Sequence, residues 1–408
     1  MPTLLQINVV ANWGSTGKIA EDIGAIVQDN GWKSVIAYGR GTPKSQSELI
    51  RVGSDLEVYS HALCSRIFDD AGLRSKRGTE QFIKEMIKLK PDIVHLHNLH
   101  GYYMNVPMLF AALKSLNVPI VWTLHDCWPF TGHCAHYTYA GCYKWETECN
   151  NCPQKRSFPT SYIFDRSTRN FKWKYDTYGK GMGQLTFVAV SDWLAGEARK
   201  SFLKDHEIIR IYNGIDTDAF RPSPIERMEA IRSKLKVVDR KVLLGVANDW
   251  SAKKGLNDYM SLAQILPKEF VIILVGLEKA QIRQLPSNII GLTRTTNREE
   301  LVDLYSLASV VLNLSYEETF GLTTVEGLSC GTSGIVYNST ASPELLSKET
   351  GCVVGSGNIK GVKQAIEYIC SKEKSVFSEI CRLRAKTLFN KEDRYNDYFQ
   401  LYNKLLNG

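Results

Sequence analysis

The sequence has no low-complexity tract, and none of its apolar runs approaches the roughly 20 residues that a membrane-spanning helix needs. Residues 1–8 lack the basic, apolar and small-residue order of a signal peptide, and they predict a first β-strand instead. We therefore expect a cytoplasmic protein. A peripheral hold on the inner face of the cell membrane is a further expectation.

A strong charge of one sign is also missing, because 50 basic residues face 43 acidic ones and leave a net charge of +7. This positive excess is compatible with binding of an anionic nucleotide or with weak association with an anionic membrane. It is too small to indicate nucleic-acid binding. The ten cysteines of this chain of 408 residues indicate thiols or a metal site rather than a disulfide scaffold.

A P-loop is absent as well. The glycine-rich turn at residues 12–18 would need glycine at position 12 and Ser or Thr after Lys18, but the chain has Asn12 and Ile19 there. Gly14 and Gly17 therefore indicate a tight turn between the first strand and its helix, at the carboxyl edge of a sheet.

The sequence does contain short β-branched runs that alternate with helical periodicity, which predicts an α/β protein with parallel sheets. Residues 92–97 and 120–124 are predicted as neighbouring buried strands, joined by a helix over residues 107–116. His97 and His100 follow the first strand, where structural roles are favoured. His125 and Asp126 follow the second.

The passage at residues 309–329 predicts a buried strand, then an acidic turn with Glu317 and Glu318, then a helix that carries Glu326. Ligands of open parallel sheets bind at the carboxyl ends of the strands, and the first amides of a helix suit phosphate oxygens. This passage therefore predicts a ligand site.

Glu318 and Glu326 resemble the E-x7-E signature of the retaining glycosyltransferases of family 4, which have the GT-B fold. Three further passages are similar to that family and come in its order: residues 190–194, residues 212–222 (the NGID passage with its following F and P) and Lys254-Gly255.

The resemblance implies an α/β protein of GT-B architecture, with two Rossmann-like domains whose parallel sheets face a central cleft. Residues 1–213 would form the acceptor-side domain, with a cysteine-rich insert at 127–155. Residues 214–388 would form the nucleotide-sugar-binding domain. Residues 389–408 would form a C-terminal helix that packs back on the first domain.

The resemblance also implies a UDP-sugar or GDP-sugar donor in the second domain. The residues expected to bind its nucleotide part are Lys254, Arg294, Phe320, Gly321, Leu322 and Glu326. In this arrangement Lys254 and the backbone amides from Phe320 onward bind the diphosphate, Glu326 binds the ribose, and Arg294 lies near the base. The family usually has Arg where this chain has Asp249, so Lys254 would carry more of the diphosphate's charge.

The implied reaction is a hexosyl transfer with retained configuration, and it needs no catalytic metal. Glu318 would hold the transferred sugar, and the neutral ring of His125 would donate a hydrogen bond to it. Asp126 could hold acceptor hydroxyls, act as a base, or orient His125. Gly14 and Gly17 would face the acceptor and the diphosphate. The acceptor would be a sugar or a lipid-linked oligosaccharide of bacterial surface-polysaccharide synthesis.

A cluster of cysteines follows His125 in the sequence. Four thiolates are enough for a closed tetrahedral zinc site of structural type. The predicted ligands are Cys134, Cys142, Cys149 and Cys152, with Cys127, His133 and His136 as alternatives. Reduced buried thiols are an equally weighted interpretation. Basic and aromatic residues then interleave over 155–180, which indicates either a helix packed on the domain or a wall that faces the membrane or the acceptor.

Two other functions remain open at this point. One is a sugar-nucleotide epimerase or a phosphorylase of GT-B shape. The other is a non-catalytic, zinc-stapled partner of another transferase.

Overall fold

The computed structural model describes residues 1–180 and 184–407, and the chain forms two compact units. Unit 1 comprises Met1–Tyr212 and Glu392–Gly408, and unit 2 comprises Asn213–Lys391. The chain therefore leaves unit 1 after Tyr212 and returns to it for the last helix.

Unit 1 is built on a seven-stranded parallel sheet of order β3-β2-β1-β4-β5-β6-β7. The strands are β1 (Thr3–Asn8), β2 (Lys33–Tyr38), β3 (Glu48–Arg51), β4 (Ile93–Leu96), β5 (Ile120–Leu124), β6 (Leu185–Ala189) and β7 (Glu207–Arg210). The helices are α1 (Gly14–Asp29), α2 (Asp55–Phe68), α3 (Lys76–Leu89), α4 (Val106–Leu116), α5 (Ser167–Lys174) and α6 (Asp192–Lys200).

Unit 2 is built on a six-stranded parallel sheet of order β10-β9-β8-β11-β12-β13. Its strands are β8 (Lys241–Val246), β9 (Phe270–Val275), β10 (Ile289–Leu292), β11 (Val310–Asn313), β12 (Gly334–Tyr337) and β13 (Gly351–Val354). Its helices are α7 (Ile225–Lys234), α8 (Leu256–Ile265), α9 (Lys279–Ile282), α10 (Arg298–Leu307), α11 (Leu322–Ser329), α12 (Ile359–Cys370) and α13 (Ser375–Phe389). The last helix, α14, spans Lys391–Asn407.

The strands form because their apolar residues are buried on both faces of each sheet. Every residue of β5 and β9 is buried, as expected for central strands covered by helices on either side. The predicted α/β class with two parallel sheets is confirmed, and so is the parallel pair of β4 and β5 joined by α4.

The last helix completes the core of unit 1. Tyr395, Tyr398 and Tyr402 are buried against the sheet and against α1. The Tyr398 hydroxyl lies 3.0 Å from Thr123 Oγ1, and the Tyr402 hydroxyl lies 2.7 Å from His95 Nδ1. These buried hydroxyls are therefore satisfied by partners on β4 and β5. Among the described residues, no helix is long and apolar enough to cross a membrane.

Candidate active site

The second sheet brings two loops together at the point where its strand order reverses. Strand β8 lies between β9 and β11, so the loops that follow β8 and β11 open side by side at the carboxyl edge. Lys254 Nζ, on the first loop, lies 2.7 Å from Glu318 Oε1 on the second. A second pair runs parallel to it, with Lys253 Nζ 3.0 Å from Glu317 Oε2. Such a crevice is the usual ligand site of an open parallel sheet.

The two ion pairs differ in burial. The Glu317 side chain is 3% exposed, whereas Glu318 and Lys254 are 16% and 31% exposed. The Glu317 carboxylate is therefore packed inside the loop, although its partner Lys253 is 27% exposed, nearly as much as Lys254. The Lys254–Glu318 pair stands at the crevice, where a ligand could take over either partner.

Glycines let these loops approach each other. Gly255 has φ 75°, and a Cβ there would lie 2.2 Å from the Leu314 carbonyl oxygen. The Tyr316 amide donates to the Lys253 carbonyl oxygen over 2.8 Å, which ties the two loops together. Only glycine fits this contact without displacing Leu314, so Gly255 fixes the place of Lys254.

Helix α11 begins at the same edge. Gly321 precedes it with φ 106°, and the Phe320 ring is buried 5.7 Å from the ring of Phe389. Phe320 therefore anchors the turn with its side chain, and its part in the predicted nucleotide site is limited to its backbone. The following amides, at Gly321 and Leu322, open the helix and have no acceptor within its own hydrogen-bond ladder.

The two remaining predicted donor residues lie in different settings. Glu326 is half-buried on α11, and its Oε2 accepts from the Tyr305 hydroxyl over 2.8 Å. This contact holds the carboxylate in one orientation. Arg294 lies exposed on the loop after β10, and within residues 1–180 and 184–407 it makes no hydrogen bond or ion pair. Asp249, in the loop after β8, is also exposed.

In unit 1 the strand order reverses between β1 and β4. The loop after β1 closes with the Asn12 amide donating to the Gly17 carbonyl oxygen over 3.0 Å. Gly14 has φ 62°, and a Cβ at Gly17 would lie 3.1 Å from Val10 Cγ2. Both predicted glycines are thus required by the turn that starts α1. Trp13 stands 73% exposed beside them.

A series of hydrogen bonds from Gln6 through His97 to His125, which we call the relay, crosses the same edge of the sheet. The Gln6 amide nitrogen donates to the Ala20 carbonyl oxygen over 2.7 Å, and Gln6 Oε1 lies 3.1 Å from His97 Nε2. His97 Nδ1 in turn lies 3.0 Å from His125 Nε2. Gln6 and His97 are fully buried, and His125 is half-buried at the end of the relay.

The relay determines which ring nitrogen carries the proton in His97 and in His125. Burial lowers the pKa of His97 well below its usual value and lowers that of His125 to about 4, so both are neutral at pH 7. Gln6 presents an acceptor to His97 Nε2, which must therefore carry the proton of that ring. His97 Nδ1 is then an acceptor, and His125 must donate through Nε2. The ring proton of His125 is committed to His97, so Nδ1 can only accept, not donate as the sequence suggests.

Asp126 is held by other partners. Its Oδ2 lies 3.1 Å from His100 Nε2, and its Oδ1 accepts from the Trp128 amide over 2.8 Å. Burial alone would raise the pKa of Asp126, but the charge and hydrogen bond of His100 outweigh it and lower the pKa to about 2. Asp126 makes no hydrogen bond to His125 in the part of the chain that the structure describes. A carboxylate this acidic is a weak base, so the geometry favours a structural role in the turn.

Sequence reasoning assigns no functional role to Gln6, His97 or His100. The available signal for Gln6 was a polar side chain in the middle of an apolar strand. His97 is a satisfied buried histidine, as predicted, and it also orients His125. The partner of His100 is Asp126, which follows a different strand, so the spacing of residues in the sequence does not predict this contact.

The four cysteines predicted as zinc ligands are free thiols in the insert. Among the described residues no group of three or more His, Cys, Asp or Glu side chains could hold a metal ion. Cys134 and Cys152 hydrogen-bond to each other, and Cys149 Sγ accepts from the Gly132 amide over 3.1 Å. The zinc site with Cys134, Cys142, Cys149 and Cys152 as ligands therefore stays a prediction, and these cysteines form no disulfide in the structure.

The alternative ligand His133 is also engaged. Its Nδ1 lies 2.6 Å from Asp69 Oδ1, and both side chains are buried. Burial would lower the pKa of His133, but the hydrogen bond and charge of Asp69 raise it. Nearby, Lys174 donates to the carbonyl oxygens of Trp128 and Thr131, and it lies 3.5 Å from the centre of a Trp128 ring. The insert is thus held by charged pairs and aromatic packing.

Two protein families match the chain. The model of glycosyltransferase family 4 matches residues 27–219, and that of the glycosyl transferases of group 1 matches residues 227–383. The putative colanic acid biosynthesis glycosyl transferase WcaC of Escherichia coli is 24% identical over 98% of this chain and 100% of its own length. No epimerase or non-catalytic protein is favoured by these matches.

Solved structures share the fold. A glycosyltransferase from Rickettsia africae superposes with a TM-score of 0.71 and 18% identity, covering 99% of this chain and 98% of its own. Anabaena HepE in complex with UDP-glucose superposes with a TM-score of 0.69 and 14% identity, covering 98% and 99%. The strand orders, the crevice at Lys254 and Glu318, and the two family matches agree, and the chain belongs to the group 1 glycosyltransferases of family 4, with the GT-B fold.

Proposed function

We propose that the protein transfers a hexose, with retained configuration, from a nucleotide-diphosphate sugar to a hydroxyl of a sugar or lipid-linked oligosaccharide acceptor. The observation that carries the proposal is the Lys254–Glu318 pair at the switch point of the second sheet. The ammonium group of Lys254 suits a diphosphate, and the carboxylate of Glu318 suits a sugar hydroxyl. The similarity to WcaC favours surface-polysaccharide synthesis as the setting.

Donor binding would exchange the partners of this ion pair. Lys254 would move from Glu318 to the diphosphate oxygens, and Glu318 would then accept hydrogen bonds from the hydroxyls of the transferred sugar. Because the pair is partly exposed, breaking it costs little, roughly 1 kcal/mol or less. The negative charge that grows on the leaving diphosphate would be stabilised by Lys254 and by the amides of Gly321 and Leu322.

The nucleotide would lie along α11. Glu326, held by Tyr305, would accept the ribose hydroxyls, and Arg294 would lie beside the base. Of the two candidate nucleotides we favour UDP, because the similar HepE was solved with UDP-glucose. Asp249 leaves Lys254 as the principal cation of this loop.

Unit 1 would serve the acceptor, and unit 2 the donor. We propose that His125 accepts a hydrogen bond from a sugar hydroxyl through Nδ1, and the relay from Gln6 supports this role. The turn at Gly14 and Gly17 would face the diphosphate and the acceptor. The proton of the acceptor hydroxyl would pass to the leaving phosphate.

Nucleotide binding tests the proposal directly. A ligand that binds only the folded protein raises its melting temperature. We expect UDP and at least one UDP-sugar to raise the melting temperature of the wild type and to lose this effect in Lys254→Gln. Absence of stabilisation by every UDP-sugar and GDP-sugar would contradict the proposal. Vesicle flotation of the protein from cell lysates tests the predicted peripheral membrane association and cytoplasmic location.

A further inference from the structure

A cavity of about 450 Å³ opens in unit 1 at the carboxyl edge of the first sheet. Arg40 reaches it from the loop after β2, and Tyr102 reaches it from the loop after β4. Because β1 lies between these two strands, the cavity lies along the edge that also carries Gly14 and Gly17. Helix α2 supplies Arg66 to the same wall.

Two arginines face this cavity without a counter-ion. The Arg40 guanidinium lies 5.3 Å from the centre of the Tyr102 ring, and its Nε is buried without a hydrogen-bond partner. Within the described residues neither Arg40 nor Arg66 forms an ion pair. Burial and the nearby charge of Arg66 both lower the pKa of Arg40, and the charge nevertheless remains at neutral pH. Asp55 is on the wall too, but it pairs with Arg51.

Such a pair of guanidinium groups suits a phosphate or diphosphate. Each group presents several N–H donors in one plane, which match phosphate oxygens in pairs. A ligand with two negative charges would remove the repulsion between Arg40 and Arg66. The cavity therefore has the electrostatics of an anion site before any ligand enters.

The rim of the cavity is apolar and exposed. Tyr59 is on the wall and 72% exposed, and on the same face of α2 Leu56 and Leu63 are 81% and 58% exposed. Phe158 is also on the wall, and it begins a segment whose Tyr162 and Ile163 are each 60% exposed.

This segment is joined to the end of α2. The Tyr162 amide donates to the Arg66 carbonyl oxygen over 2.7 Å, and the Phe164 amide donates to the Ile67 carbonyl oxygen over 3.1 Å. The two apolar groups therefore form one surface around the cavity, which we call the rim: Leu56, Tyr59, Leu63, Phe158, Tyr162 and Ile163. Contiguous exposed apolar surface of this kind marks an interaction site.

We propose that the cavity and its rim bind the head group and the first part of the chain of a membrane lipid that carries a phosphate or diphosphate. That this lipid is the anchor of the sugar acceptor rests on the proposed glycosyl transfer. Arg40 and Arg66 bind the phosphate groups, and the rim enters the apolar layer next to them. A free phosphate compound would leave the rim unexplained. A merely anionic bilayer would need an exposed basic patch rather than a half-buried Arg40 in a cavity.

Cosedimentation with vesicles tests this proposal. The probes are phosphatidylcholine vesicles with a small fraction of a polyprenyl diphosphate, the same vesicles with phosphatidylglycerol instead, and inorganic diphosphate as competitor. We expect wild-type protein to prefer the polyprenyl diphosphate vesicles. Loss of charge-assisted hydrogen bonds in Arg40→Gln/Arg66→Gln should weaken that binding by roughly tenfold or more. The control Lys84→Gln/Lys88→Gln, on exposed positions of α3, removes the same charge and should leave binding unchanged.

The apolar rim has its own variant. Leu56→Ser/Tyr59→Ser should lower binding to vesicles by several-fold, because both side chains are exposed and contribute little to the core. Three results would overturn the proposal: equal binding of wild type and the arginine variant to polyprenyl diphosphate vesicles, equal binding to the two vesicle types, or full displacement by low concentrations of inorganic diphosphate. Circular dichroism of each variant verifies that it is folded.

Binding of UDP separates this inference from the proposed function. The arginine variant should keep the rise in melting temperature that UDP gives, because the cavity and the Lys254–Glu318 crevice are in different units. If UDP stabilises the protein and the lipid does not bind, the inference fails alone. If the lipid binds and no sugar nucleotide does, the proposed function fails and the lipid site stands.

Discussion

The adjacent ion pairs Lys253–Glu317 and Lys254–Glu318 permit a test in which stability and activity respond to different residues. Both are lysine–glutamate pairs, one residue apart on the same two loops, with nitrogen–oxygen distances of 3.0 Å and 2.7 Å. They differ in that the Glu317 carboxylate is buried and the Glu318 carboxylate is partly exposed. Replacing each lysine by glutamine removes the same charge from nearly the same place.

We expect Lys253→Gln to lower the free energy of unfolding by about 2 kcal/mol, because the buried Glu317 carboxylate loses the positive charge of its ion-pair partner. We expect Lys254→Gln to lower it by less than about 1 kcal/mol, because Glu318 can be hydrated. Activity should change in the opposite sense. Loss of Lys254 removes a cation from the leaving diphosphate, which corresponds to roughly a hundredfold to thousandfold lower kcat.

The assay combines urea unfolding with release of UDP in the presence of a UDP-sugar and an acceptor. Glu318→Gln should behave like Lys254→Gln, and Glu317→Gln like Lys253→Gln. Our assignment of the crevice is refuted if the two lysine variants exchange behaviour. In that case Lys254→Gln would keep more than a tenth of wild-type turnover, and Lys253→Gln would show the large loss of turnover that we expect for Lys254→Gln. Equal losses of activity in both lysine variants would also refute it.

Further predictions concern the backbone, the relay and pH. Gly255→Ala should lower the free energy of unfolding by at least about 1–2 kcal/mol, measured in urea, because φ is 75° and the new Cβ would strike the Leu314 carbonyl oxygen. Long-range proton–nitrogen NMR should find the ring proton of His125 on Nε2 in the wild type. In Gln6→Met the His97 N–H loses its acceptor, so the preference for Nε2 should disappear and the free energy of unfolding should fall by about 1–3 kcal/mol. Stability should fall as the pH drops from about 6.5 to about 4, because unfolded His125 takes up a proton in this range and the folded ring, with its pKa of about 4, does not. The contribution of His125 to this fall is about 3 kcal/mol, and it should be missing when the stability of His125→Asn is measured against pH.

The elements that the sequence predicts well are those whose apolar residues face the core. Strand β5 has the bounds that its pattern predicts, and helix α11 follows the acidic turn as predicted, because burial sets both the pattern and the element. Helix α2 was not predicted. Its large residues Leu56, Tyr59 and Leu63 face solvent, so its periodicity does not describe a core-facing helix.

The site was predictable only in part, for a similar reason. Lys254 and Glu318 stand at loop positions that a resemblance can identify, and sheet order then brings them together. The pairing of Asp126 with His100, and the relay that reverses the role of His125, depend on contacts between strands far apart in the chain. Cysteine spacing predicts enough thiols for zinc, but it does not predict their hydrogen-bond partners, such as the Gly132 amide that donates to Cys149.

The return of the chain to unit 1 has a consequence for synthesis on the ribosome. The sheet of unit 1 is translated before Tyr212, but the tyrosines that cover it at Thr123 and His95 come after Lys391. At roughly 5–20 residues per second, the ribosome needs about ten seconds or more to reach them. During that interval the nascent first domain lacks the residues of α14 that pack into its core, and we expect the apolar residues that they cover to be exposed. A truncated chain that ends before α14 would stay in that state.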